Sequence, residues 1–82
     1  MSYTNELLKF AKKLDQCLSV QYDDVSFKYK VDLNQVVYKD KHLRQNIFGL
    51  GFTIEDACYD YIRKARGGVL IHYITDKEIE VI

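Results

Sequence analysis

The chain has 82 residues, enough for one domain spanning 1–82, and a domain of this size buries only about 60–65% of its unfolded surface, so its folding margin is thin. An apolar fraction of 48% with 29% charged residues argues against intrinsic disorder. Twelve basic side chains balance twelve acidic ones, so the chain lacks the basic excess that phosphate neutralisation favours in dedicated nucleic-acid binders.

The first element reads as a helix over residues 5–17. Leu7, Phe10, Ala11, Leu14, Cys17 and Leu18 recur at steps of three and four, which places them on one face. Thr4 or Asn5 can cap its start, and Lys9, Lys12 and Lys13 fall on the opposite face. The period then shortens to two. Val20 and Tyr22, then Val25, Phe27, Tyr29 and Val31, alternate with polar neighbours as half-buried strands do. Asp23-Asp24 and Leu33-Asn34 are the expected turns. Val36–Tyr38 reads as a further strand, with residues 39–42 as its polar exit.

Between Ile47 and Phe52 a strand is expected in which Phe48, Leu50 and Phe52 point one way, while Gly49 and Gly51 leave the other side bare for close packing. It leads into a helix over Thr53–Arg66. Thr53 is a good N-cap with Asp56 three residues on, and acids lie in the first turn with bases in the last, as the helix dipole prefers. Ile54, Ala57, Cys58, Tyr61, Ile62 and Ala65 form its apolar stripe, and Gly67-Gly68 supplies the stop. Val69–Ile74 reads as a strand, residues 75–77 as a turn, and Glu78–Ile82 as a short edge strand or tail. The expected fold is α+β in the order α-β-β-β-α-β, with a small, mostly antiparallel sheet of three to five strands and two helices packed on one face.

No catalytic constellation is visible. His42 and His72 have no Ser, Cys or Asp in a recognisable arrangement, and His72 reads as a satisfied or surface-facing strand residue. Two cysteines, each taken as a small hydrophobe on a helix, and two scattered histidines do not make a metal site. Gly49-Leu50-Gly51 lacks the lysine and glycine count of a phosphate loop, so no cofactor is expected. The N-terminus is polar and capping-rich, unlike a cleavable signal peptide, and no apolar run approaches the roughly 20 residues that span a bilayer. A cytoplasmic address without a membrane partner is therefore expected.

Two surfaces invite partners. Tyr59 projects from the polar face of the second helix beside Arg63, with Arg66 further along, and Tyr and Arg are the types most enriched in interface hot spots. The alternative is a phosphate-binding surface using Lys9, Lys12 and Lys13 of the first helix with Lys64 of the second. Homodimerisation through a strand edge also stays open.

The segment from Gly51 to Gly67 (Gly51-Phe52-Thr53-Ile54-Glu55-Asp56-Ala57-Cys58-Tyr59-Asp60-Tyr61-Ile62-Arg63-Lys64-Ala65-Arg66-Gly67), about a fifth of the chain, resembles small accessory proteins of phages and prophages of Gram-positive bacteria. That resemblance implies a phage accessory protein and brings no defined activity with it. Together with the small size, the lack of catalytic residues and the aromatic-rich, charge-balanced composition, it leads to the expectation of a non-catalytic protein in the bacterial host cytoplasm that binds a host protein. An inhibitor of a host factor or defence system, of the anti-CRISPR kind, is its concrete version. The element order is also loosely similar to the double-stranded-RNA-binding domain, which implies nucleic-acid binding as the second reading. That family opens its phosphate-binding helix with a lysine-rich turn; here the turn is Thr53-Ile54-Glu55-Asp56, which would repel phosphate.

Overall fold

The computed structural model describes residues 2–82. It contains two helices, α1 (Tyr3–Lys13) and α2 (Ile54–Ala65). Seven strands accompany them: β1 (Leu18–Asp23), β2 (Lys28–Leu33), β3 (Val36–Asp40), β4 (Leu43–Gln45), β5 (Gly49–Gly51), β6 (Val69–His72) and β7 (Glu78–Glu80). The strands form two antiparallel sheets, of order β1-β2-β5 and β4-β3-β6-β7. The fold class is thus α+β, with seven strands in two sheets where three to five in one sheet were expected. The divergence lies at Asn34-Gln35. The chain turns there with Gln35 at φ +56°, so β2 pairs with β5 and β3 pairs with β6 rather than with each other.

α2 forms where every local cue converges. The Thr53 hydroxyl accepts the Asp56 amide, Glu55 and Asp56 lie in the first turn, and Gly67 takes φ +84° just past the C-cap Arg66. Its stripe Ala57, Cys58, Tyr61, Ile62 and Ala65 is buried as expected, but Ile54, the first residue of the helix, is exposed. The bare side of β5 is the seat for this stripe. A Cβ on Gly49 would lie 2.0 Å from the Ala57 carbonyl oxygen, and one on Gly51 would lie 2.5 Å from the Ala57 amide nitrogen. Only glycine lets the helix backbone approach this closely.

α1 starts and ends earlier than expected. Its N-cap is Ser2, whose hydroxyl accepts the Asn5 amide, and it stops at Leu14, leaving Cys17 beyond the helix and exposed. The early start is fixed from outside the helix. Glu55 of α2 accepts the amides of Tyr3 and Thr4 and the hydroxyls of Ser2 and Thr4, at 2.8–3.0 Å. The two amides are orphan donors of a helix N-terminus. The Thr4 amide above all, then the Tyr3 amide and the Thr4 hydroxyl, hold the Glu55 carboxyl at about pKa 2.

The β1–β2 connection also departs from expectation. The alternation through Val25 and Phe27 reads as strand, yet residues 24–27 are a turn in which both side chains are exposed. Asp23 closes that turn, accepting the Val25 amide at 2.9 Å and the Ser26 hydroxyl at 3.0 Å. Lys39 and Asp40, expected in a polar exit, continue β3, and β4 follows at residues 43–45, where no element was anticipated. Tyr73 and Ile74 leave β6 and lie exposed in the next turn. The terminal strand β7 takes the edge, as anticipated.

One apolar core serves both sheets. It joins Leu7, Ala11 and Leu14 of α1, the α2 stripe, Val31 and Leu33 of β2, Val36 and Tyr38 of β3, Leu70 of β6, and Val81. Among the described residues His72 is the one polar residue that is buried, and it is fully partnered. Its Nδ1 lies 3.0 Å from the Leu14 carbonyl, which can only accept, so Nδ1 carries the proton. Its Nε2 then accepts from the Gln16 side-chain amide at 3.0 Å. Of the two expectations for this strand histidine, satisfied or surface-facing, the first holds, and His72 ties the segment after α1 to β6.

Candidate interaction surface

The period of two sorts the faces of the three-stranded sheet. Val31 and Leu33 of β2 are buried toward the helices, which turns Lys28, Lys30 and Asp32 to the outer face. Lys30 pairs with Leu50, so Leu50 shares that face, with Phe48 and Phe52 flanking it. Phe48, Leu50 and Phe52 are 40%, 38% and 69% exposed respectively, and together they form a strip along β5 on the side away from the glycine face. The glycine face of β5 is the buried one and the aromatic face is the open one.

Lysines border this strip. The Lys30 Nζ sits 4.6 Å and the Lys64 Nζ 5.2 Å from the Phe48 ring centre, and the Lys28 Nζ lies 5.4 Å from that of Phe52. Each contact is worth about 0.5–1 kcal/mol at an exposed site and holds an ammonium beside an apolar surface. Lys64 also donates to the Phe48 carbonyl at 2.9 Å. A groove of about 430 Å³ continues from Phe48 and Lys30 past Asp32 and Asn46 to Tyr73, where the two sheets diverge.

Asp60 links this surface to α2. It accepts the Leu50 amide at 3.0 Å and pairs with Arg63 at 2.6 Å and Lys64 at 2.9 Å. Burial pushes its carboxyl upward, but the Leu50 amide, Lys64 and Arg63 outweigh that and hold it at about pKa 2.

The residues singled out in the sequence separate into three groups. Lys64 joins the sheet surface, and Arg63 reaches it through Asp60. Tyr59 and Arg66 continue the exposed side of α2, although the Tyr59 ring packs edge-on against Tyr3 at 4.7 Å. Lys9, Lys12 and Lys13 stay on the exposed side of α1, and among the described residues none forms an ion pair. The residues just after α1 are anchored at β6 and the turn beyond it, through His72 to the Leu14 carbonyl and a contact between Asp15 and Lys77, whereas Lys64 in the last turn of α2 is anchored at the Phe48 carbonyl just before β5.

Lys28, Lys30, Phe48 and Phe52 were not among the residues expected to bind. The signal for them was present: lysines alternate on the wet face of β2, and the two glycines force all side chains of β5 to one side.

Chemically, the surface offers apolar rings, ammonium groups and backbone carbonyls to a partner. Among the described residues no cluster of three or more His, Cys, Asp or Glu is placed to hold a metal ion, and no helix is long and apolar enough to cross a membrane. Burial pushes the Cys58 thiol up, away from the thiolate form a nucleophile needs. No protein-family model, curated protein or solved structure matches this chain.

Proposed function

We propose that this chain is a non-catalytic accessory protein that works by binding another protein, in the manner of a phage or prophage inhibitor of a host factor or defence system. The observation that carries the reading is the strip Phe48-Leu50-Phe52, exposed on a sheet face and bordered by Lys28, Lys30 and Lys64. An apolar centre with a charged rim is the anatomy of a protein interface. Arg63 extends this surface onto α2, with Tyr59 and Arg66 beyond it. The lysine rim suits an acidic patch on the partner, while Asp32 on the same face and Asp60 beside it moderate the attraction for phosphate.

Affinity capture from a Gram-positive host lysate tests this. The wild-type chain retains a host protein, and the double variant Phe48→Ala, Phe52→Ala, folded by circular dichroism, does not. Equal capture by the variant, or retention of nucleic acid with no protein, refutes the reading.

One observation favours a second reading, binding of single-stranded nucleic acid on the same face. Lys30 and Lys64 flank the Phe48 ring, which combines the cation and stacking surface such sites use. Its signature is a complex at low salt that weakens steeply as ionic strength rises. A mobility shift absent at low salt removes it.

A further inference from the structure

The two sheets leave four edges, at β1, β5, β4 and β7. Unpaired edges template association unless they are short, charged or covered. Three are managed in these ways. β5 has three residues, and the Asp60 carboxylate takes its Leu50 amide. β4 has three residues with Arg44 at its centre, and β7 has three with Glu78 and Glu80. β1 is different: it runs six residues, Leu-Ser-Val-Gln-Tyr-Asp, and its only charge is the terminal Asp23.

The backbone groups on the free side of β1 follow from its ladder. The Asn34 amide donates to the Cys17 carbonyl at 3.3 Å, which continues the β1–β2 register by one step and makes that pair hydrogen-bonded. Alternation then turns the backbone of Ser19, Gln21 and Asp23 toward β2. Leu18, Val20 and Tyr22 direct their N–H and C=O groups to the open edge, and none of these groups has another backbone partner among the described residues. Their side chains lie on the helix side of the sheet with Val31 and Leu33, yet Val20 is 42% and Tyr22 53% exposed. Leu8 of α1 is also exposed. The apolar layer beneath the helices therefore runs out to the rim at β1 without being covered.

We infer that β1 is the dimerisation edge of this protein, and that its partner is β1 of a second copy, paired antiparallel about a two-fold axis through Val20. The strand is self-complementary in that register. Val20 faces Val20, Leu18 faces Tyr22 and Ser19 faces Gln21, so no charge opposes a like charge, and Asp23 meets Cys17. Leu18, Val20 and Tyr22 then exchange about six backbone hydrogen bonds across the axis. Two three-stranded sheets become one of six strands, and the open apolar rims of both copies face each other on the helix side. A two-fold axis of this kind gives a closed, isologous dimer. The inference is independent of the Phe48–Phe52 surface, which lies on the opposite side of the sheet.

Light-scattering chromatography and sedimentation of the full chain over about 1–100 µM read the outcome. The wild type runs at twice its 9.7 kDa mass. Val20→Pro removes only an outward-pointing amide and spares the β1–β2 ladder, so it yields a folded monomer, as does Val20→Lys, which sets two like charges on the axis. Should either variant unfold, Val20→Cys in a Cys17→Ser background decides. Hydrogen-bonded partners have Cα atoms about 5.5 Å apart, within disulfide range, so mild oxidation gives a covalent dimer. A monomeric wild type at 100 µM overturns the inference and leaves the edge to a strand of another protein. A folded Val20→Pro or Val20→Lys that still dimerises, or a Val20→Cys chain that does not cross-link, overturns the register.

Discussion

Adding one methyl group at Gly49 tests the central packing of this fold. A Cβ there would meet the Ala57 carbonyl oxygen at 2.0 Å, the Tyr61 amide nitrogen at 2.7 Å and the Tyr61 Cβ at 2.9 Å. Ordinary contact begins near 3.4 Å, and the obstructing atoms are mostly helix backbone that no rotamer change can move. Gly49→Ala must therefore push α2 about 1.4 Å off β5, loosening the seats of Ala57, Cys58 and Tyr61, all of them buried. We expect a loss of about 3 kcal/mol, the upper part of the overpacking range. A chain of 82 residues has a total margin of roughly 4–12 kcal/mol, so this is a large share. In urea, at a slope of about 1 kcal/mol per M, the midpoint should fall by roughly 2–3 M. The control is Gly67→Ala. Nothing lies within 4 Å of its new Cβ, so it carries only left-handed backbone strain at φ +84°, about 1–2 kcal/mol. A Gly49→Ala midpoint within about 0.5 M of wild type, or a larger loss for Gly67→Ala, would refute the close seating of α2 on the glycine face.

Other substitutions probe separate features. Glu55→Gln should lower the melting temperature at pH 7 and reduce its dependence on acid. The Glu55 carboxyl sits at about pKa 2 in the folded chain, against 4.5 ordinarily, so its contribution is full above about pH 4.5 and is lost as pH falls toward 2. A wild type and variant with parallel melting-temperature profiles from pH 7 to 2.5 would contradict that role. His72→Ala should cost about 2 kcal/mol or more in urea unfolding, because the Leu14 carbonyl loses its buried donor and a cavity remains. A loss below about 0.5 kcal/mol would show that the histidine is dispensable to the core. Phe27→Gly should raise the melting temperature by a few degrees, since an exposed side chain at φ +58° carries about 1 kcal/mol of avoidable strain. A lower melting temperature would mean that the ring contributes contacts outweighing the strain.

α2 was legible in the sequence because Thr53, the acidic first turn, the apolar stripe and Gly67 all act within a few residues of one another. The close seating of β5 was equally plain from its two glycines. The division into two sheets was not, since it depends on which distant strand β2 and β3 each choose, and the alternation of Tyr29–Leu33 and Val36–Tyr38 reads alike in one sheet or two. Val25 and Phe27 continue the alternation of a strand, but Asp23 closes a turn around them. Of the interaction surface, the residue types were visible and the facing was half so. Phe48, Leu50 and Phe52 share a direction, and only the docking of α2 on the other side reveals that this direction is outward.

The capping of α1 by Glu55 also bears on the order in which the chain acquires and loses structure. An isolated peptide of residues 2–14 lacks the acceptor for its first amides, and a helix of 11 residues is marginal on its own in water. α1 therefore becomes persistent only after the first turn of α2 exists to receive it. In hydrogen exchange, amides of Leu7 and Ala11 should open no more rarely than those of Ala57 and Cys58, and α1 should lose protection in preference to α2 when residue 55 is altered. The N-terminal helix thus serves as a gauge of whether a helix some fifty positions downstream has formed.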